Sequence, residues 1–452
     1  MVLKTRRRTQ MKNAKLSIFE HVDMRHPANI FVKAQDVDSR NGFVREIRFS
    51  DGKSALLKCQ SGRTADPLIY EYLVGQFVNE KLAPRFPNFI RTYGCYHFVD
   101  PVFYAFMRDM SYSESVSPGK FRQSLVPIGA IKSKQISKAI CTEDSKYNSL
   151  LIEYVNDAVT FESLLVDKAA RKDVSVEIVY LLYQIYFALS CVRELFTHYD
   201  LHLENVLLQK CPGNGYYEYH YMEENGTERL SFKSRYMAKL IDYGMSFFSY
   251  GRGGGDDNNN HNHDKVGSRK LCENLCMDSV CNRNVGKFEN TECGGEYGVK
   301  YCRDDMRKPK YNDYHISRLR KNESHDLKLA HQLLPRLLNK NSYLQFFRAH
   351  VLTRIEYGKG YNDHGGNNHE YAKWRNEYRN KDIADPREFG TVENVAVENK
   401  RPIRNVSEME YALRQFIKAG GGAGQRRGDV GKGWGAKRGD FYISVRTGYV
   451  FK

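Results

Sequence analysis

No apolar run in this chain is long enough to cross a membrane with ease. The longest, IVYLLYQIYFALSCV at residues 178–192, is interrupted by Gln184 and Ser190 and reads as a buried helix. The N-terminus, MVLKTRRRTQMKNAK, is basic but has no apolar core behind it, so no export signal is expected. A cytoplasmic setting follows, with the ten cysteines mostly reduced. No internal repeat is visible. Among Cys272, Cys276, Cys281, Cys293 and Cys302 there is no C-x-x-C pair. A zinc site at this cluster, with His261 and His263 just before it, therefore competes with a simple group of thiols.

What is present is size, charge and aromatic content. The 452 residues suffice for a two-lobed unit or two to three domains, and 41% hydrophobic with 13% aromatic content supports a substantial core. The net charge of +16 points to an anionic partner, or to solvated basic tails. Residues 1–25 form a basic arm containing Arg6, Arg7 and Arg8. The stretch GGGAGQRRGDVGKGWGAKRGD (420–440) reads as a flexible Gly/Arg-rich tail, assigned to 419–452. Both could bind nucleic acid through phosphates, with Trp434 and Phe441 stacking on bases.

Short β-prone runs at 28–60 (NIFVKA, GFVREIRF, SALLKC) are separated by turns at Asn41-Gly42 and Asp51-Gly52, which predicts a small antiparallel sheet. ADPLIYEYLVGQFVN then predicts a helix capped by Asp66 with Pro67 in its first position. Strand-like text follows at 89–107 and at SLLIEYV (149–155), and helices are expected at 160–170 and 175–196. Residues 214–244 read as a long hairpin about Asn225-Gly226, and GRGGGDDNNNHNHDK (251–265) as disordered. VSEMEYALRQFI (406–417) predicts a further helix, and HEYAKWRNEYRN is read as packing.

The chemistry concentrates in FTHYDLHLENVLL (196–208), where His198, Asp200, His202 and Asn205 precede a β-prone run. A carboxylate there can accept a hydroxyl proton, and an asparagine oxygen five residues later can hold Mg²⁺. Downstream, KLIDYGMSFF ends an apolar strand on Asp242, and Gly244 permits a sharp bend.

HYDLHLEN resembles the catalytic loop of the protein-kinase superfamily, and IDYG its Asp-Phe-Gly magnesium motif. SALLKC resembles the strand carrying the phosphate-binding lysine, here Lys58. RFPNFIRTYGCY resembles the segment after the first helix, and SLLIEYV the hinge between lobes. NESHDLKLAHQLL resembles the helix whose aspartate, here Asp326, braces the catalytic loop. The match spans roughly 28–340, and its wording is similar to divergent kinases encoded by large DNA viruses.

The resemblance implies an α+β, bilobal protein-kinase-like fold with a small, mainly β N-lobe and hinge (26–155) and a larger, mainly α C-lobe (156–418). A long inserted activation-type segment falls at about 245–320. It further implies ATP and Mg²⁺, with Asp200 as base and Asn205 and Asp242 as metal ligands. Lys58 would contact the α- and β-phosphates, paired with Glu71, which shares a helical face with Val74, Gly75 and Val78; Glu80 is its rival. Gly42, Val44, Ile152, Glu153 and Val155 would surround the nucleotide. The implied substrate is a protein serine or threonine hydroxyl.

The departures are specific. Val37 and Ser39 stand at glycine positions of the phosphate loop, leaving only Gly42. Tyr199 replaces the customary arginine, which implies activity independent of loop phosphorylation. His202 replaces the lysine after the base, as in small-molecule phosphotransferases, and no Ala-Pro-Glu motif is found. A small-molecule phosphotransferase and an inactive kinase-like scaffold are the alternatives.

Overall fold

The computed structural model describes residues 31–34, 42–49, 53–60, 67–110, 116–128, 147–166, 175–250, 267, 324–337, 342–355, 402–420, 435–444 and 446–452. The basic arm, residues 251–265, the Cys272–Cys302 cluster, Trp434 and HEYAKWRNEYRN lie outside them, as do Val37, Ser39 and Asp66. The content is mixed. The chain begins with β1 (Phe31–Ala34), β2 (Gly42–Arg48), β3 (Ser54–Gln60), α1 (Pro67–Phe77), β4 (Thr92–Phe98), α2 (Pro101–Asp109), α3 (Pro118–Ser124), β5 (Leu125–Pro127) and β6 (Asn148–Glu153). It continues through β7 (Ala158–Thr160), α4 (Phe161–Val166), α5 (Ser175–Val192), β8 (Phe196–Thr197), β9 (Val206–Lys210), β10 (Tyr216–Met222), β11 (Glu228–Ser234), β12 (Tyr236–Leu240) and β13 (Phe247–Phe248). It closes with α6 (Lys328–Arg336), α7 (Ser342–His350), α8 (Val406–Lys418), β14 (Lys437–Ser444) and β15 (Gly448–Phe451).

The chain divides into two compact units. The first holds residues 1–62, 93–129 and 146–154; the second holds the remainder, including 63–92. The first unit is built on a six-stranded sheet in the order β1-β2-β3-β6-β4-β5. Strand alternation divides β2, β3 and β6 into two faces. Phe43, Ile47, Leu57 and Leu151 face a core closed by Phe103, Tyr104 and Met107 of α2. Val44, Leu56, Lys58 and Ile152 occupy the other face, half-buried, with Val44 opposite Lys58 and Leu56 opposite Ile152. Buried Arg45 donates through Nε to Met107 O at 2.7 Å, so a strand side chain satisfies the carbonyl end of α2. Residues 101–109 are thus helical, against the strand reading of 89–107. The deciding signal was Asp100, whose carboxylate accepts Val102 N at 2.9 Å, with Pro101 in the first turn.

The second unit is organised around α5, whose Val179, Leu182, Ile185, Tyr186 and Leu189 are buried on all sides. Its one interior amide, Gln184, bridges the backbone of β12. Nε2 donates to Tyr236 O at 3.1 Å, and Oε1 accepts Ala238 N at 2.9 Å. Helix α8 docks on α5 through Tyr183, whose hydroxyl donates to the buried Glu410 carboxylate at 3.0 Å. Helix α1, expected with the N-terminal sheet, groups here instead. Tyr70 Oη donates to Ser246 O at 2.6 Å, and the Phe77 ring lies 5.3 Å from Phe248 and 6.5 Å from Phe196. Gly75 lets α1 approach Thr92, since a Cβ there would come within 2.2 Å of Thr92 Oγ1.

The expected hairpin about Asn225-Gly226 comprises β10 and β11, but β12 leaves it to pair with β9. The Gly/Arg-rich tail needs a larger correction. Strand β14 lies parallel to β10 and antiparallel to β15, giving a four-stranded sheet β11-β10-β14-β15. The alternation in DFYIS and GYVF outweighs the flexible composition just before it. Phe441 is buried and stacks on Tyr219 at 5.3 Å, so it packs a core and is not free to stack on bases.

Replacing Gln184 with leucine preserves volume in an apolar site yet strands the buried Ala238 N–H, while Tyr236 O keeps the Tyr219 hydroxyl. We expect Gln184→Leu to lower stability by about 1–3 kcal/mol in urea unfolding. A loss under about 0.5 kcal/mol would mean that the bridge is dispensable.

Candidate functional site

Two antiparallel ladders bracket two loops in the second unit. Strand β8 pairs with β13, with Thr197 opposite Phe247, and β9 pairs with β12, with Val206 opposite Leu240. Residues 198–205 and 241–246 therefore run between the same two clamps and face each other. Bonds cross between them. His198 Nε2 donates to Ile241 O at 2.9 Å, Ile241 N donates to Asn205 O at 3.2 Å, and Ser246 Oγ donates to His198 O at 3.1 Å.

Asp200 and Asn205 lie on the first loop and Asp242 on the second. Asn205, largely buried, donates from Nδ2 to Asp200 O at 2.9 Å and to Asp200 Oδ2 at 3.3 Å. Among the described residues no hydrogen bond engages Asn205 Oδ1. Asp242 has φ 64° and ψ 74°, a left-handed conformation that costs a non-glycine residue roughly 1–3 kcal/mol. A Cβ on Gly244 would meet Asp242 Oδ1 at 3.5 Å and Glu71 Oε2 at 3.7 Å. The buried Glu71 of α1 thus shares the environment of the second loop, while Glu80 is exposed and pairs with Lys81 at 3.2 Å.

A buried carboxylate holds the first loop from behind. Asp326 accepts His198 N at Oδ2 (2.9 Å) and Tyr199 N at Oδ1 (3.0 Å). It is wholly enclosed, and burial pushes its pKa up to about 7 against the two amide donors. Tyr199 also adopts positive φ, at 63°, which an aromatic residue rarely does. Its amide bond to Asp326 and its edge-on contact with His325 at 5.1 Å keep it there. Gln332, which sequence reasoning passed over, adds a third tie: its Oε1 accepts Leu203 N at 3.2 Å. Its only signal was helical spacing from the Asp326 turn. His202 caps the turn at 203–205, its Nδ1 accepting Glu204 N at 3.3 Å, and its Nε2 lies 3.8 Å from Asp200 Oδ1.

The structure therefore brings Glu71, Asp200, Asn205 and Asp242 together within the second unit, where Val155 also lies. Gly42, Val44, Lys58, Ile152 and Glu153 belong to the first unit, where Val44, Lys58 and Ile152 share a sheet face. Of metal-capable clusters among the described residues, Glu218, His220 and Asp440 come within ligating range of one another. Lys437 Nζ already lies 2.8 Å from both Glu218 and Asp440, and His220 contacts Glu228 and Asp440 through its two nitrogens. The Lys437 ammonium already bridges the two carboxylates of that cluster. No helix among the described residues is long and apolar enough to cross a membrane.

No family model and no curated protein matches the sequence. Among solved structures, the chain has likeness to the Rad53 kinase domain with SCD2 (TM-score 0.25, 14% identity, 45% of this chain and 48% of that one). It also has likeness to the BubR1 kinase domain (TM-score 0.26, 13% identity, 53% and 57%). A third is the Rio2 kinase–ADP/Mg²⁺–phosphoaspartate complex from Chaetomium thermophilum (TM-score 0.25, 10% identity, 66% and 65%). The match spans about half to two-thirds of those chains.

Removing the brace should be costly. We expect Asp326→Ala, which strips the acceptor from two buried amides, to destabilise the protein by about 2–4 kcal/mol. An unchanged urea midpoint would show that the loop holds itself.

Acidity provides a second check. Burial lowers the His198 pKa below its ordinary 6.5, so the unfolded chain takes up a proton that the folded chain refuses. Its contribution to stability is lost as pH falls through 6.5. The raised Asp326 acts oppositely, and its penalty grows as pH rises from 3.8 towards 7. His198→Gln retains a donor for Ile241 O but cannot titrate. Relative to the wild type it should gain stability between pH 7.5 and 5, by at most about 1.4 kcal/mol per pH unit. Equal differences at the two pH values would mean that the imidazole titrates normally.

Proposed function

We propose that the chain is an ATP-dependent phosphotransferase of the protein-kinase kind, acting on serine and threonine hydroxyls of proteins. The observation that carries this reading is the Asp200–Asn205 pair held opposite Asp242 between two strand ladders and braced from behind by Asp326. Asp200 takes the acceptor hydroxyl's proton as that oxygen bonds to the γ-phosphorus, and the bond to the bridging oxygen breaks to release ADP. The Asn205 amide keeps the carboxylate oriented, and the cap made by His202 stiffens the loop beneath it. That cap accounts for His202 locally, which weakens it as a marker of a small-molecule acceptor.

The donor set suits Mg²⁺. Asn205 offers an amide oxygen unengaged among the described residues, and Asp242 offers a carboxylate on an adjoining turn; both are hard oxygen ligands. When bound, Mg²⁺ supplies positive charge to the phosphate oxygens. Glu71 borders the same turn and is the partner assigned to Lys58. By the resemblance, Lys58 serves the α- and β-phosphates, while Gly42, Val44, Ile152, Glu153 and Val155 serve the rest of the nucleotide. The half-buried face shared by Val44, Lys58 and Ile152 is consistent with that assignment.

Purified protein with labelled ATP, offered protein and small-hydroxyl acceptors side by side, tests the reading. We expect label on protein serine or threonine. Asp200→Ala should reduce kcat by about 10²–10⁴-fold with little change in KM for ATP. Asp242→Asn should abolish the rise in Tm given by Mg-ATP. Label confined to small hydroxyls would reassign the acceptor. A chain that binds Mg-ATP but transfers nothing would be a scaffold.

A further inference from the structure

The proposed reaction gathers negative charge around Asp200, yet residues 196–208 contain no lysine or arginine. A phosphoryl group in transfer is stabilised by cations placed where its charge develops. Mg²⁺ would supply part of that charge, and a side-chain cation beside Asp200 has to come from outside this loop.

Helix α6 is the element that runs behind this loop. The turn that opens it carries Asp326, which grips the amides of 198 and 199, and Gln332 within it grips the amide of 203. Lys328 lies between these two anchors in sequence and stands one helical turn before Gln332, at i and i+4 on one face. That face continues to Arg336, which pairs with Glu162 of α4 at 2.9 Å. The opposite face, with Leu329, Ala330 and Leu333, is buried in the core. Lys328 thus shares with Gln332 the face of α6 that meets the loop. Burial lowers the Lys328 pKa, and the Asp200 carboxylate opposes that shift by favouring the ammonium form.

We propose that Lys328 is the cation of the transfer site: its ammonium stands beside Asp200 and meets the transferring phosphoryl group from α6, in place of a basic residue on the loop. This rests on the phosphotransferase reading. Arg336 is already paired with Glu162, and His202 is engaged in capping, so neither serves the role equally.

The test compares Lys328→Met, Lys328→Arg and Lys328→Gln in the full chain, measuring initial rates with labelled ATP beside thermal unfolding. We expect Lys328→Met and Lys328→Gln to lower kcat at least 100-fold with KM for ATP within about threefold of wild type. Lys328→Arg, which keeps the charge, should recover at least tenfold of that loss. If wild-type protein transfers phosphate and Lys328→Met retains more than half its rate, the inference falls and the phosphotransferase reading stands. If the three variants lose rate in step with their Tm irrespective of charge, Lys328 is structural and the inference again falls. A wild-type chain inert toward every acceptor and toward water removes the reading itself, and the role for Lys328 with it.

Discussion

The site depends on a constraint that is mechanical before it is chemical: two short ladders clamp both ends of two facing loops. With β8 tied to β13 and β9 tied to β12, residues 198–205 and 241–246 have little freedom to drift apart. Between the loops, His198 and Ser246 each donate a side-chain hydrogen bond to a backbone carbonyl, and Ile241 N donates to Asn205 O. The ladders are main-chain bonds, whereas the brace and two of the cross-links rest on the side chains of Asp326, His198 and Ser246.

The electrostatics behind the loop are costly, and they are matched to strain. Asp326 sits in full enclosure with its affinity for a proton raised, and His198 sits beside it with its own lowered. Neither group is comfortable, yet each supplies a directed bond that a smaller or apolar side chain cannot. Those bonds hold Tyr199 in a conformation that an aromatic residue otherwise avoids. Local strain held by a surrounding network is a common feature of functional loops.

Much of this was legible from the sequence. The order of residues in 196–208 and 239–248 is local, and so was the helical face of Glu71; local patterns survive without knowledge of the fold. Asp326 was found by resemblance, and its two amide partners, 128 and 127 positions away, could not have been read from spacing. Gln332 and Lys328 carried no motif at all. Their meaning comes from the turn of a helix whose orientation is tertiary. Residues 101–109 were misread because VFYAFM suits either a strand or a buried helix, and the Asp-Pro start was given too little weight. Helix α1 groups with the second unit through Tyr70 and Phe77, contacts that no window of sequence displays.

The pairing of β14 with β10 has a consequence for how the protein is made. His220 and Asp440 touch across 220 positions of chain, and parallel strands in that register cannot form until the later one exists. During synthesis the hairpin of β10 and β11 therefore emerges with a bare edge lined by tyrosines, open to any other strand in the cell. Nascent chains should need shielding at that edge, by a chaperone or by slow elongation, until the partner strand leaves the ribosome.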